Sequence, residues 1–167
     1  MQIILGDITK IKADAIVNAS STDLMPHPGI CGAIYAAADG KLLKMACKRI
    51  GYCKIGHAVA TPSCGLDTKY IIHVAGAGWY GGEKRERILM AQCYFNALQK
   101  AWLIGCKSIA VPLIFSGDCH IPRAESISIA QQAIRNFEER HPEMQVTLVL
   151  YRKGIYEMAL HILKDYK

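Results

Sequence analysis

At 167 residues, 51% hydrophobic and 20% charged, the chain is long enough for one sizeable core and too short for two. These proportions exclude a disordered tail and a fibrous chain, and they predict one domain over residues 1–167. Lys plus Arg is 20 against 14 for Asp plus Glu, a balance of +6 that suits an anionic ligand without singling one out.

Seven cysteines, an odd number with no CxxC pair, support neither a disulfide framework nor a zinc ribbon. They read as reduced thiols of a cytoplasmic protein. The sequence enters directly on the strand-like Met1 to Leu5, so no secretion signal is expected. No run approaches the roughly 18 apolar residues of a membrane span.

In chain order, Gln2 to Leu5 and Ala15 to Asn18 read as short buried strands. A helical stretch starts near Gly29, breaks at Asp39-Gly40 as a C-cap, and resumes to Arg49. Its cations Lys41, Lys44, Lys48 and Arg49, with Lys54 beyond, read as a solvated face, the alternative being a nucleic-acid stripe. Ala58 to Thr61 and Lys69 to Ala75 return to strand character, with His73 as a core histidine. Glu83 to Ile104 is helical, carrying Ile88, Ala91, Phe95, Leu98 and Trp102 along one side. Ser108 to Ile114 is a buried strand, Pro122 to Arg140 a helix, Gln145 to Tyr151 a strand and Ile155 to Tyr166 a closing helix. Strands alternating with crossover helices predict an α/β fold whose mostly parallel sheet is covered on both faces.

In such a sheet, ligands sit beyond the carboxyl ends of the strands, where loops lead into helices. Two loops fit that place: Asn18 to Gly32 and Phe115 to Pro122. Gly29, Gly32 and Gly117 are either close-approach positions or ordinary turn residues. Each helix start offers unpaired N–H groups to a phosphate. Trp79 and Tyr80, in a Gly-rich loop, are candidates for the pocket rim.

Three segments in order, Gly6-Asp7-Ile8-Thr9, Asp14 to Ala19 and Gly29-Ile30-Cys31-Gly32-Ala33-Ile34, resemble the macro domain family. Ile71 to Val74, Cys93-Tyr94-x-x-x-Leu98 and Ile109 to Ile114 continue the resemblance over nearly the whole chain. It implies a three-layer α/β/α fold with a mixed, mostly parallel sheet, and ADP-ribose or a derivative such as O-acetyl-ADP-ribose as ligand. ADP-ribosylated protein is then a partner; no cofactor and no membrane is implied. By the resemblance, Asp7 accepts from the adenine amine and Ile8 offers its N–H to the diphosphate. Asn18 and Gly29 to Gly32 belong to the first phosphate loop, Phe115, Ser116 and Gly117 to the second. Tyr151 is similar in place to an aromatic that packs on adenine. A capping Asp7 and a core-edge Tyr151 are the plain alternatives.

Hydrolytic members read Asn-Ala-Ala-Asn, followed ten residues after the second Asn by an Asp. Here those positions hold Ser21 and Cys31. Pro26-His27-Pro28-Gly29 replaces the family's Gly run and removes two N–H donors. The distal-ribose side is thus rebuilt with His27, Cys31, Asp118, Cys119 and His120. The reading preferred here is a binder or weak ADP-ribosyl or O-acetyl-ADP-ribose hydrolase with no new chemistry. Catalytic candidates are Ser21, Cys31, Cys119 and His120. The alternatives are a Cys-thiolate hydrolase, a Zn²⁺ site of His27, Cys31, Cys119 and His120, and an RNA- or nucleotide-binding module in the same cleft.

Overall fold

The computed structural model describes residues 1–114 and 121–164. Six strands form one sheet in the order β1-β6-β5-β2-β4-β3. They are β1 (Gln2–Leu5), β2 (Ala15–Ser20), β3 (Ala58–Pro62), β4 (Tyr70–Ala75), β5 (Ser108–Pro112) and β6 (Gln145–Leu150). All neighbours pair in parallel except β3, which runs antiparallel to β4 along one edge.

The helices are α1 (Ile30–Ala37), α2 (Gly40–Ile50), α3 (Lys84–Leu103), α4 (Arg123–Glu138) and α5 (Lys153–Lys164). Because side chains alternate along a strand, each central strand feeds two cores. Ala15, Val17 and Ala19 of β2 pack with residues of α3 and α4, while Ile16 packs with Ile34, Leu43 and Cys47 of α1 and α2. Leu148 and Leu150 of β6 lie on the first of those faces and meet Ile127 and Ala159 of α4 and α5. The result is the expected three-layer sandwich, with the mixed sheet between two helices and three.

Several boundaries differ from the sequence reading. The Asp39-Gly40 pair does not end a helix. α1 closes earlier, where Ala38 N–H reaches Ile34 O, and the Asp39 carboxylate begins α2 by accepting from the N–H groups of Lys41 and Leu42, each at 3.1 Å. Asp does this better than Gly closes a helix here, since its acceptor satisfies two otherwise orphaned donors. A single 3-10 turn over Ile8–Lys10, unforeseen, is capped by Asp7. The closing helix begins two residues earlier than expected, at Lys153, and its expected end at Tyr166 lies outside the described residues.

α3 is turned by about one residue, roughly 100°, from the expected stripe. Met90, Cys93, Tyr94, Ala97 and Ala101 are buried; of the expected stripe Leu98 is buried as read, Ala91, Phe95 and Trp102 are half-buried, and Ile88 is exposed. Small Ala97 and Ala101 let the helix lie close to the sheet. The bulkier Phe95 and Trp102 move to its flank, where Phe95 meets Phe137 edge-on at 6.2 Å between centroids and Trp102 meets His141 at 4.3 Å.

Tyr94 also reaches across the fold. Its buried hydroxyl accepts from Ile114 N–H at 2.8 Å, where the chain leaves β5. Tyr94→Phe removes that acceptor and leaves a buried donor unpaired, which costs about 1–3 kcal/mol. Urea unfolding of wild type and variant is expected to show that loss with an unchanged far-ultraviolet spectrum.

Candidate functional site

Parallel register puts the ends of five strands on one edge of the sheet: Leu5 pairs with Leu150, and Ser20 with Ala75. β3 starts there too, since Ala58 pairs with Val74 in the antiparallel sense. Read across the sheet, this edge carries Asp7 and Tyr151, then residues 113–114 past β5, then residues 21–29, then 76–83, then 51–57.

Asp7 uses one carboxylate oxygen as a cap. Its Oδ1 accepts from Thr9 N–H at 2.9 Å and from Thr9 Oγ1 at 2.8 Å. Both bonds go to Oδ1, so Oδ2 keeps its capacity to accept from a ligand, and the capping and binding roles coexist. Ile8 is buried and opens the 3-10 turn, where its N–H has no partner within the turn. Tyr151 stands just past β6 and is 77% exposed, so it is not a core-edge residue.

The first loop is tightly held. Leu24, fully buried with φ +61, closes a turn in which its N–H reaches Ser21 O. Its own carbonyl accepts from Tyr35 Oη at 2.8 Å. Ser21 Oγ donates to Asp23 Oδ1 at 2.6 Å, and that bond holds the Asp23 carboxyl below its ordinary range. Pro26 and Pro28 are exposed, and His27 is half-buried with Nδ1 3.0 Å from Pro28 O. Gly29 precedes α1 with φ +86 and ψ −144, a conformation that only glycine adopts readily. Behind it Ile30, Cys31 and Gly32 form the first turn of α1, with N–H groups facing the edge. A Cβ on Gly32 would come within 3.0 Å of His27 O, so the loop folds back closely on the helix start.

Cys31 faces inward. It is fully buried, with Sγ 3.8 Å from Met25 O and 3.6 Å from Asn18 Nδ2. The Asn18 amide also donates to His73 Nδ1 at 3.1 Å, so Nε2 carries the imidazole proton and lies 2.9 Å from Thr61 Oγ1. Burial lowers the His73 pKa to about 4 and keeps the ring neutral. Two buried oxygens in this region, Asn18 Oδ1 and Ser20 Oγ, have no partner among the described residues. Ser20 escaped the sequence reading, although its two-residue spacing from Asn18 puts both on one strand face.

Phe115, Ser116, Gly117, Asp118, Cys119 and His120 lie outside the described residues. The anticipated union of His27 and Cys31 with Cys119 and His120 therefore has only its first half in view. Among the described residues no group of three His, Cys, Asp or Glu could hold a metal ion. The six described cysteines are unpaired, and burial pushes Cys93 up to about 12.

A third loop completes the edge. The Glu86 carboxylate accepts from the N–H groups of Tyr80, Gly82 and Glu83 at 2.6, 2.7 and 2.9 Å, fixing residues 76–83. Trp79 packs beneath, in a small cleft it shares with Ala77, Leu89 and Ile121. Tyr80 stands out in solvent.

The sequence model of the Macro domain matches residues 17–130. This chain belongs to the macro domain family. It is 43% identical to a protein of Salmonella newport named O-acetyl-ADP-ribose deacetylase, over 90% of this chain and 87% of that one. A Cronobacter sakazakii protein of the same name is 36% identical over 99% and 94%. A solved Oceanobacillus iheyensis macrodomain with ADP superimposes with a TM-score of 0.91 at 32% identity, covering 98% of this chain and 89% of that one. No described helix of this macro domain is long and apolar enough to cross a membrane.

The buried imidazole gives the domain a specific acid sensitivity. Unfolded, His73 regains an ordinary pKa near 6.5; folded, it stays at about 4. A depressed histidine pKa means that the unfolded chain takes up the proton first, so stability is lost as pH falls below about 6.5 and levels off near 4. The full difference corresponds to about 3 kcal/mol. His73→Gln is expected to be less stable than wild type at pH 7.5, with the gap narrowing at pH 4.5. Urea midpoints at the two pH values check this.

Proposed function

We propose that this macro domain binds ADP-ribose or an ADP-ribose derivative along the carboxyl edge of its sheet, and that it hydrolyses such derivatives only slowly. The observation that carries the reading is the alignment, on one edge, of Asp7 Oδ2 and the open helix start at Ile30 to Gly32. Adenine and a diphosphate require an acceptor and a row of N–H donors in that order. The names and ligands of the relatives support the same assignment.

In this reading Asp7 takes the adenine amine, Tyr151 covers the ring, and Ile8 N–H and the first turn of α1 receive the diphosphate. Phe115, Ser116 and Gly117 complete the phosphate site from the second loop, with Asp118, Cys119 and His120 toward the distal ribose. ADP-ribosylated protein is a partner by the same logic. The whole chain, 1–167, acts as one unit, and the six free thiols among the described residues suit the reducing cytoplasm.

Slow hydrolysis follows from what surrounds the distal ribose. Efficient attack by water needs a base within hydrogen-bond reach and with a pKa near the working pH. Cys31 carries no carboxylate and faces the core. Asp23 is the carboxylate nearest in sequence to Ser21, and its pKa is lowered, which makes it a weak base. Ser21 is short, and its hydroxyl is already committed to Asp23.

Calorimetry with ADP-ribose tests the binding. Asp7→Ala is expected to weaken affinity at least several-fold, since a hydrogen bond to a charged group contributes about 1.5–3 kcal/mol; unchanged affinity in a folded variant removes Asp7 from the site. For catalysis, wild-type turnover of O-acetyl-ADP-ribose is expected to be slow, and Cys31→Asp is expected to lower the urea midpoint without speeding turnover, because position 31 faces the core. A fast wild-type rate overturns the assignment of slow chemistry.

A further inference from the structure

The stretch from Gly40 to His57 holds Lys41, Lys44, Lys48, Arg49 and Lys54 and not one Asp or Glu. Interleaved with these cations are large apolar side chains left in solvent: Leu42, Met45, Ile50, Tyr52 and Ile55, with Leu42 54% and Tyr52 61% exposed. Helix stability does not account for this composition. Lys48 and Arg49 suit the C-terminal end of α2, where the helix dipole favours cations, but Lys41 stands in the first turn, where it does not. Lys44 and Lys48 are four residues apart on one face and repel each other. The core does not account for it either, because α2 buries Leu43 and Cys47 on the side away from Lys41, Met45 and Lys48.

Position supplies the rest. Asp39 N–H bonds to Cys64 O, at the turn between β3 and β4 and therefore at the amino end of the sheet. From there α2 climbs roughly 16 Å, at 1.5 Å per residue, to the carboxyl edge. The segment 51–57 is fastened to that edge. Cys53 N–H bonds to Thr22 O at 2.8 Å, beside Ser21, and Gly56 N–H bonds to Ala75 O at 2.8 Å. Gly56 O in turn accepts from Asn96 Nδ2 at 2.6 Å. The ridge therefore begins where the distal ribose would end, on the side of the sheet away from Asp7.

We infer that this ridge is a docking surface for an acidic polypeptide segment with interspersed apolar residues, the chain to which an ADP-ribosyl group in the cleft is attached. The inference rests on the ADP-ribose reading of the cleft and adds the partner and its path. Lys44, Lys48, Arg49 and Lys54 supply the complementary charge, and Met45, Tyr52 and Ile55 supply apolar contact. A nucleic acid would match the cations but would leave Leu42 and Met45 without a use. A membrane surface needs an apolar face separated from the charged one. On α2 that apolar face is already in the core.

The test uses the full chain and three probes: free ADP-ribose, a short peptide of Glu and Leu residues, and the same peptide carrying one ADP-ribosyl group. In wild type the joined probe is expected to bind more tightly than free ADP-ribose, with the advantage fading as salt is raised. Lys44→Glu, Lys48→Glu and Lys54→Glu together are expected to weaken the joined probe about tenfold. Calorimetry with free ADP-ribose should stay unchanged, which also shows that the variant is folded. Met45→Ser with Tyr52→Ser should weaken the joined probe with little effect of salt.

Equal affinity of wild type and the charge variant for the joined probe overturns the inference. So does a ridge that captures single-stranded RNA, or vesicles of phosphatidylcholine and phosphatidylserine, in preference to the peptide. If free ADP-ribose fails to bind wild type, it is the cleft reading that fails; the ridge is then judged on the unmodified peptide, whose charge-dependent binding sustains it and whose absence ends it.

Discussion

The hydrogen bond from the Asn18 amide to His73 Nδ1 joins two parallel strands below the proposed cleft, in a place water does not reach. A buried amide and a buried imidazole each need partners, and only a strict register between β2 and β4 supplies them. The same amide touches Cys31 in the first turn of α1. Sheet register, the helix start and the first loop are thus tied by one polar cluster. A slip of one residue would send Asn18 to the other face and leave His73 Nδ1 without its donor.

That cluster also suits a cysteine at position 31. An Asp at position 31 with its side chain turned inward would bury a carboxylate among Asn18, Met25 and the apolar residues beneath α1, which is costly without a partner. Cys is small, tolerates burial, and accepts weakly from the amide. The loop then closes over Leu24 instead of opening glycine N–H groups, since Pro26 and Pro28 have none to offer.

The carboxyl edge is chemically uneven. At one side, Asp7 and Tyr151 offer an acceptor and an aromatic face to a small flat ligand. At the other, the rim from Tyr52 to Ile55 continues down α2 as a mixed basic and apolar surface. The edge strand β3 runs against its neighbours, and that is what brings the segment 51–57 to this end. An all-parallel edge would have required a crossover there and put the ridge elsewhere.

Much of this was legible in the sequence, because apolar periodicity and turn residues are local. All six strands and the first loop of the edge could be read, as could His73 as a core residue and the resemblance carried by Gly6 to Thr9 and Gly29 to Ile34; the second loop lies outside the described residues. What tertiary structure decided was orientation. Asp39 could end one helix or begin the next, and only the close approach of Cys64 O and the spacing of α1 from α2 settled it. α3 could present neighbouring apolar stripes, and the sheet took the one centred on Tyr94, Ala97 and Ala101. Cys31 could face the cleft or the core, and Asn18, fixed by His73 from a strand distant in sequence, placed it inward. A side chain's direction depends on partners that periodicity does not name, so these choices became visible only when distant segments met.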